Sequence, residues 1–286
     1  MTPKTITFIG CGKLGKTLAY LLVKTGQLTL QDVMTRHIET AQAAVNFIGS
    51  GRAVTSYQQL QPADIYLIAT GSDVITTVCN ELATYPLLTS NTIVMHCSGY
   101  LSAAECLSAA ASANAQIVSL HPIKSFADPK LSVETFTGTY CAIEGQPTAV
   151  NTITKLIQAI GGTVFNINPD AKMSYHAASV IASNYLVSLV HAAQQCYEKS
   201  GVSTDMSKTL VLSLMQGCFN NLNQLSCQQA LTGPIQRGDI KTVQGHLNAL
   251  AAYPDLQKIY VVLGEKALEL AKLPQDKKQI LEKILA

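Results

Sequence analysis

The first half of the chain alternates short apolar runs with stretches of helical period. The runs are rich in β-branched residues and are bounded by Gly, Pro, Asp or Ser, which is typical of strands. They are ITFIG (6–10), DVMTR (32–36), DIYLIAT (64–70), TIVMHCSG (92–99), AQIVSLHP (115–122), TYCAIEG (139–145) and GGTVFNI (161–167). Because strands that alternate with helices form parallel sheets, this half predicts a largely parallel, doubly wound sheet.

From Pro169 onward the pattern changes to long segments of helical period, residues 170–201 and 204–225, and no comparable strand-like run returns. The predicted fold class is therefore an α/β, doubly wound, Rossmann-like N-terminal domain (1–168) followed by an all-α C-terminal domain (169–286). The most apolar long stretch, residues 177–193, is interrupted by Ser, Asn and His. A lipid-facing span tolerates such residues badly, so this stretch predicts a buried helix.

A GxGxxG motif follows the first predicted strand and directly precedes an amphipathic helix. Gly10 would allow the tight turn, Gly12 would let the backbone approach a pyrophosphate, and Gly15 would let the helix pack on the strand. Lys13 and Leu14 open the helix, whose unpaired N–H groups attract anions. The motif predicts a dinucleotide site, and the alternative is an ordinary strand-to-helix turn.

The end of the second predicted strand indicates which nicotinamide cofactor is bound. An NAD site usually carries an acidic residue about 20 residues beyond the motif, whereas this chain has Thr35 and Arg36 there. A guanidinium presents a planar fork of donors that suits the 2′-phosphate of NADP. We therefore expect NADP, and NAD with Asp32 as the ribose ligand is the alternative.

Composition narrows the class of protein. The chain has 286 residues, of which 48% are hydrophobic and only 13% charged, with a net charge of +2. This charge gives no field suited to nucleic acid. The eight cysteines stand singly in apolar segments without metal-ligand spacing, so we expect reduced, mostly buried thiols and no metal site. The N-terminal sequence lacks the pattern of a secretory signal, and we expect a cytoplasmic protein that binds no membrane.

Polar clusters follow the apolar strands at their carboxyl ends, where ligands of parallel sheets bind. The cleft between the two predicted domains is the expected substrate site. Ala69, Thr70, Asp73 and Ser98 are expected to border the cofactor, with Asp73 capping the next helix. Among the remaining strand-end residues, His121 is a catalytic candidate, Ser125 a substrate contact, and His96 either a ligand contact or a structural donor.

A polar stripe runs along the helix predicted to begin near residue 170. Lys172, His176, Ser179 and Ser183 are spaced by four, three and four residues, so they share one face. Buried polar groups need partners or a wet cavity. Reduction of a carbonyl or imine needs a proton donor, which His176 or Lys172 could supply, with Asn184 orienting it and the serines binding substrate. The alternative is a set of hydrogen bonds between helices.

The segment LTGPIQRGD (231–239) adds a second candidate contact. Asp239 is predicted to cap the helix that follows. Arg237 could bind a substrate carboxylate or phosphate through two parallel hydrogen bonds. An ion pair between Arg237 and Asp239, or with a neighbouring subunit, is the alternative.

Several motifs together resemble a family of predicted dinucleotide-binding proteins that join a Rossmann-like domain to a helical domain of unknown function. They are the glycine motif, HCSG (96–99), HPIKSFAD (121–128), IEG (143–145), YHAA (175–178), SNYLV (183–187) and LTGPIQRGD. The family is similar in architecture to pyrroline-5-carboxylate reductase, ketopantoate reductase and the 6-phosphogluconate dehydrogenase group. The resemblance implies NADP-linked redox chemistry and homodimerisation through the helical domain. The lysine and asparagine that those enzymes carry four residues apart are not matched, because this chain has His176 and Val180.

The sequence therefore predicts an NADP-dependent oxidoreductase that acts on a small carbonyl, hydroxy acid or imine. His176 handles the proton, with His121 or Lys172 assisting. A non-catalytic NADP-binding sensor or scaffold is the competing hypothesis. Metal catalysis ranks below both, since His96, Cys97 and His121 come from different strands.

Overall fold

The computed structural model describes residues 3–286; Met1 and Thr2, which the predicted N-terminal domain includes, lie outside the described residues. The described chain divides into two compact units, the first ending at Ser183 and the second beginning at Asn184. The functional domain bounds of 1–168 and 169–286 remain a prediction.

The first unit is built on a single eight-stranded sheet in the order β3-β2-β1-β4-β5-β6-β7-β8. Its strands are β1 Lys4–Ile9, β2 Leu28–Met34, β3 Arg52–Val54, β4 Ile65–Ile68, β5 Ile93–His96, β6 Gln116–Pro122, β7 Tyr140–Gly145 and β8 Thr163–Asn166. Neighbouring strands are parallel except β6 and β7, which are antiparallel. The predicted, largely parallel sheet is confirmed, and each predicted run contains most or all of one strand or its C-terminal part.

Two apolar layers enclose this sheet. Within β4, Ile65 and Leu67 pack on one face while Tyr66 and Ile68 pack on the other, as the alternation of a strand buried on both faces requires. The helices of this unit are α1 Lys13–Lys24, α2 Ile38–Ile48, α3 Ile75–Ala83, α4 Ala103–Cys106, α5 Ser108–Ser112, α6 Pro129–Glu134, α7 Pro147–Ala159 and α8 Lys172–Ala182.

The second unit is helical, and no strand occurs in the described chain after β8. Its helices are α9 Asn184–Lys199, α10 Thr204–Leu222, α11 Cys227–Ala230, α12 Gly233–Arg237, α13 Ile240–Leu250, α14 Pro254–Leu270 and α15 Gln275–Leu285. Its core contains Ile235, Val243, Leu247, Leu268 and Leu281. The predicted fold class, a Rossmann-like α/β domain followed by an all-α domain, is confirmed. None of the helices over residues 3–286 has the length and apolar character needed to span a membrane.

The predicted buried helix over residues 177–193 is wrong. α8 ends at Ala182 and α9 begins at Asn184, because Ser183 departs from helical geometry at φ −119° and ψ −64°. Large apolar side chains of this stretch face solvent, Val187 being 70% exposed. The apolar composition of the stretch thus reflects an uncovered surface.

The cysteine prediction is correct in part. All eight cysteines are free, and Cys11, Cys79, Cys106 and Cys141 are buried. The three cysteines of the second unit, Cys196, Cys218 and Cys227, are exposed. They lie on helices whose apolar residues are themselves poorly covered, so an apolar neighbourhood in sequence did not mean burial.

Candidate functional site

The turn between β1 and α1 shows a different requirement at each glycine of the motif. Gly10 has φ +79°, and a Cβ there would lie 2.7 Å from Cγ2 and 2.9 Å from the backbone nitrogen of Thr70. A Cβ on Gly15 would press on Ala69 at 3.3 Å. By contrast, a Cβ on Gly12 would meet no heavy atom of the described chain within 4 Å. Gly10 and Gly15 therefore serve packing, while Gly12 keeps an open space free.

The first N–H groups of α1 face this open space without a cap. Gly12 is the N-cap residue, and no side chain caps the helix. The N–H groups of Lys13, Leu14 and Gly15 have no acceptor within the helix, because the first helical hydrogen bond runs from Lys16 to Gly12. Unpaired N–H groups beside an open backbone form a cradle for phosphate, so these residues fit a dinucleotide pyrophosphate.

A groove of about 700 Å³ extends from this turn to the end of β2. Thr35 and Arg36 line it, and Arg36 is exposed and makes no hydrogen bond or ion pair with any described residue. Asp32 is fully buried and accepts hydrogen bonds from Nε of Arg52 and from the backbone N–H of Gln61, both at 2.8 Å. The free guanidinium suits a 2′-phosphate, and the alternative role of Asp32 as ribose ligand is not supported.

The opposite wall of the groove comes from the segment after β4. Ala69, Thr70 and Asp73, which we expect to border the cofactor, line it. The prediction that Asp73 caps the following helix is wrong. Asp73 lies inside a 3-10 turn, Ser72–Val74, and neither this turn nor α3 has a side-chain cap. Asp73 lies one residue before Val74, the N-cap residue of α3, and its carboxylate lies close to Gly71.

Ser98 connects this groove wall to a second group of polar residues. Its hydroxyl accepts a hydrogen bond from the Ser72 hydroxyl at 2.9 Å, and its carbonyl accepts one from Nζ of Lys172 at 3.4 Å. The loop after β4 and the loop after β5 are thereby joined at the carboxyl ends of parallel strands.

Lys172 is buried among oxygen atoms. Its Nζ donates to the Ser119 hydroxyl at 2.7 Å and lies 3.6 Å from Oε1 of Glu144. Ser119 and Glu144 are directly paired across β6 and β7, which explains why one ammonium reaches both. Oε1 of Glu144 also accepts the Ala103 N–H at 2.8 Å. Burial lowers the pKa of Lys172, and the Glu144 carboxylate opposes part of that shift.

Two imidazoles stand next to this ion pair. Nδ1 of His121 is hydrogen-bonded to the Tyr175 hydroxyl at 2.7 Å, and the rings of His121 and His176 lie 5.6 Å apart. Burial, with His176 and Lys172 as neighbours, lowers the pKa of His121 to about 4. Burial raises the pKa of Tyr175 to about 12. At neutral pH the pair is therefore an uncharged imidazole and an uncharged phenol.

Each imidazole keeps one nitrogen within reach of solvent. Nε2 of His121 and Nε2 of His176 have no hydrogen-bond partner among the described residues, and neither atom is buried. Lys172, in contrast, is 1% exposed. A ligand at this edge of the sheet can therefore touch the imidazoles, while the ammonium acts from beneath.

His96 is a structural residue. It is fully buried, its Nδ1 accepts the Ser98 N–H at 3.0 Å, and burial lowers its pKa to about 3. Of the two roles considered from sequence, the structural one is supported, because the ring shapes the loop that carries Ser98.

The other predicted contacts are scattered. The hydroxyls of Ser179 and Ser183 donate to the carbonyls of Tyr175 and Ser179, four residues earlier. Ser125 is exposed and makes no hydrogen bond to a described residue.

Arg237 and Asn184 belong to the second unit. Arg237 forms no ion pair with any described residue, and Asp239 caps α13 by accepting the Thr242 N–H at 3.1 Å. The predicted cap is confirmed, and the alternative ion pair between Arg237 and Asp239 is absent from the described chain.

Four contributors escaped the sequence prediction: Ser72, Ser119, Glu144 and Tyr175. Glu144 carried a signal, since an acidic residue within an apolar strand implies a buried partner. The others gave none, because their partners lie 26 to 54 residues away in sequence. In residues 3–286, no three His, Cys, Asp or Glu side chains are placed to hold a metal ion.

The β1–α1 turn, its groove and the strand order define a dinucleotide-binding protein. Residues 5–98 match the family described as NADP oxidoreductase coenzyme F420-dependent, and residues 139–267 match a domain of unknown function, DUF2520. The N-terminal part of the chain is thus similar to a Rossmann-like NADP oxidoreductase domain and the C-terminal part to a DUF2520 domain, and the predicted resemblance is confirmed. These matches indicate an NADP-dependent oxidoreductase and leave the substrate open. No curated protein matches the chain.

Solved structures share the fold over most of the chain. A proposed NADP oxidoreductase from Bacteroides fragilis is 19% identical with a TM-score of 0.78, covering 93% of this chain and 98% of that one. An imine reductase from Aspergillus terreus, in complex with NADPH4 and a dibenzazepine, is 17% identical with a TM-score of 0.63, covering 99% and 100%. A Plasmodium falciparum pyrroline carboxylate reductase with NADP bound is 15% identical with a TM-score of 0.60, covering 100% of both chains. At these identities the likeness establishes the fold.

Proposed function

We propose that the chain transfers a hydride between the nicotinamide of NADP and a small carbonyl, hydroxy acid or imine substrate. The observation that carries the proposal is the pair of imidazoles, His121 and His176, on the sheet edge that also bears the glycine turn. Hydride transfer to a C=O or C=N bond needs a proton donor near the heteroatom. Reductases of imines and of pyrroline carboxylate with this fold support the substrate class.

The chain would hold NADP along the groove. When bound, NADP supplies or accepts the hydride. The N–H groups after Gly12 would bind the pyrophosphate, and Thr35 and Arg36 would bind the 2′-phosphate. The remaining residues that we propose to border the cofactor are Gly10, Lys13, Leu14, Gly15, Ala69, Thr70, Asp73 and Ser98.

We assign His176 the position next to the reacting heteroatom, with His121 or Lys172 assisting. Because His121 is uncharged at neutral pH, the proton that accompanies the hydride is supplied by solvent water at this edge of the sheet. His121 is accessible through Nε2, whereas Lys172 is buried and contacts the Ser98 carbonyl and the Ser119 hydroxyl. Lys172 therefore assists by fixing the loop and by its charge. Substrate contacts of Ser125, Ser179, Ser183 and Arg237, and the orienting role of Asn184, remain predictions.

Calorimetric titration with NADP, NADPH, NAD and NADH tests the cofactor assignment. We expect Arg36→Ala to weaken NADPH binding about 10- to 100-fold, the loss of one or two charge-assisted hydrogen bonds, and to leave NADH binding unchanged. Arg36→Lys keeps the charge but lacks the planar fork of donors, so its NADPH affinity should lie between those of the wild type and Arg36→Ala. Lys258→Ala, an exposed charge on α14, is the control.

A wild-type protein that binds none of the four nucleotides would remove the main support for an oxidoreductase. NADPH is tested with a panel of carbonyls and imines, and nicotinamide absorbance reports any reduction. If NADPH binds and none of these compounds is reduced, the result supports the sensor hypothesis instead. Loss of turnover in His176→Ala, with NADPH affinity kept, would support the assigned position of that ring.

We also propose that the protein is a cytoplasmic homodimer formed through its predicted helical domain. Free cysteines are typical of a reducing compartment. Large apolar side chains are exposed on α8 of the first unit and on α9 and α10 of the second, and exposed apolar residues of this kind mark surfaces that another chain covers. They are Met173, Ile181, Tyr185, Val187, Met206, Leu212, Leu214, Phe219 and Leu222.

A further inference from the structure

The two nitrogens of His176 have different surroundings. Nδ1 is out of solvent and has no hydrogen-bond partner in residues 3–286. It faces Cα of Gly99, because a Cβ built on Gly99 would overlap it. A Cα–H group donates weakly and cannot accept a hydrogen bond. Nδ1 can therefore carry a lone pair there, whereas a proton on Nδ1 would have no acceptor.

Nε2 of the same ring reaches solvent. Water accepts a hydrogen bond from an Nε2–H group as readily as it donates to a lone pair, so solvent does not oppose a proton at this position. A neutral imidazole has one proton to place. The buried nitrogen thus decides the tautomer, and it favours Nε2–H.

We propose that Gly99 is a positioning residue that fixes His176 as the Nε2–H tautomer. The absence of a side chain at Gly99 also leaves room for the second imidazole, since a Cβ there would come within 2.9 Å of Nε2 of His121. Any larger residue at this position would displace both rings.

The chemical consequence rests on the proposed function. An Nε2–H group is a hydrogen-bond donor, so it selects a reacting atom that carries a lone pair. A carbonyl oxygen or a neutral imine nitrogen has one, whereas an ammonium or iminium nitrogen does not. The substrate group at this ring is therefore an uncharged hydrogen-bond acceptor.

The tautomer is measured directly by long-range proton–nitrogen NMR on the full chain labelled with 15N-histidine at neutral pH. The sequence has six histidines, so His176→Gln assigns the signal by its disappearance. We expect a proton on Nε2 and an unprotonated Nδ1. An Nδ1–H tautomer or an imidazolium at neutral pH overturns the inference.

Gly99→Ala tests whether Gly99 is the cause. The added methyl group should force the ring to move, let water reach Nδ1 and convert the His176 signals to a mixture of tautomers. Gly245→Ala is the matched control, because a Cβ there meets nothing within 4 Å. If Gly99→Ala leaves the wild-type tautomer in place, Gly99 does not determine it. Should Gly99→Ala fail to fold, the wild-type measurement decides, because an Nδ1–H tautomer there contradicts the role of Gly99.

Two further variants separate this inference from the proposed function. A Gln side chain places its amide N–H near the position of Nε2, and an Asn side chain near that of Nδ1. For any carbonyl or imine that the wild type reduces, we expect His176→Gln to retain at least tenfold more kcat/KM than His176→Asn. Equal loss in both overturns the donor role. If no such substrate is reduced, the proposed function fails, while the NMR result still decides the tautomer.

Discussion

At the scale of single residues, Lys172 and Glu144 form an ion pair shielded from water, with 1% and 7% of their surfaces exposed. Removing one partner leaves the other charge buried and uncompensated, which costs more than removing both. We expect Lys172→Met to lower the free energy of unfolding by about 3 to 5 kcal/mol.

The double variant Lys172→Met with Glu144→Gln should be more stable than Lys172→Met alone, since Gln keeps an oxygen for the Ala103 N–H and carries no charge. Urea unfolding at pH 7 measures both. A double variant that is no more stable than the single one would show that the two charges do not compensate each other.

His121 gives stability a pH dependence of defined sign. Its pKa is lowered to about 4 in the folded protein, so the unfolded chain binds this proton more readily. The stabilisation by neutral His121 is present above about pH 6.5 and is lost as pH falls towards about 4, up to about 3 kcal/mol.

The free energy of unfolding, measured by urea between pH 4 and pH 7.5, should depend less steeply on pH in His121→Gln than in the wild type. His191→Gln, at an exposed position, is the control. Parallel curves for His121→Gln and the wild type would contradict the lowered pKa.

Sequence reasoning found the candidate residues whose placement follows from one element. Helical spacing predicted that Lys172 and His176 share one face, and the position of His121 at the end of a strand marked it as a candidate. It missed Tyr175 and Glu144, because their partners are set by the packing of α8 on the sheet and by the antiparallel pairing of β6 with β7. A one-residue shift of that pairing would have turned Glu144 to the other face.

At the scale of elements, the glycines of the β1–α1 turn have different roles, some in folding and one in binding. Gly12→Ala adds a methyl group where no described atom lies within 4 Å, at φ −72°. We expect its melting temperature to stay within about 2 °C of the wild type, in line with small surface effects, while NADPH affinity measured by calorimetry falls at least tenfold.

Gly10→Ala is the contrasting variant, since its methyl group would press on the Thr70 backbone at φ +79°. Gly26→Ala has a similar φ of +71° without any neighbour, so it measures backbone strain alone. Gly10→Ala should be clearly less stable than Gly26→Ala. If Gly12→Ala binds NADPH like the wild type, the pyrophosphate does not lie at this turn.

The elements that sequence predicted well are those with a strong local pattern. Continuous apolar runs bounded by turn residues correspond to seven of the eight strands. β3 was missed because its three residues, Arg52–Val54, are too few to show a period. The prediction for residues 177–193 was wrong for another reason. An apolar run indicates a surface that avoids water, but it does not indicate whether the same chain or another chain covers that surface.

At the scale of the whole molecule, charged substitutions at exposed apolar residues of α9 and α10 test the proposed homodimer. Val187→Glu and Leu214→Glu, at residues 70% and 61% exposed, should shift the protein towards a monomer in sedimentation equilibrium. A buried, unpaired carboxylate at an interface is expected to raise the dimer dissociation constant at least 100-fold.

Leu131→Glu is the matched control, because Leu131 is 57% exposed on α6 of the first unit. It should leave the sedimentation behaviour unchanged. If Val187→Glu and Leu214→Glu sediment like the wild type, the dimer is not formed through this surface.

The buried position of Asp32 has a practical consequence for redesign. A change of preference from NADP to NAD calls for a carboxylate that can hold the ribose hydroxyls. Asp32 cannot be recruited for this purpose, because moving it would strip Arg52 and the Gln61 N–H of their acceptor. An engineer would instead introduce the acid at Thr35 or Arg36 and leave Asp32 untouched as part of the frame that holds β2 and β3 together.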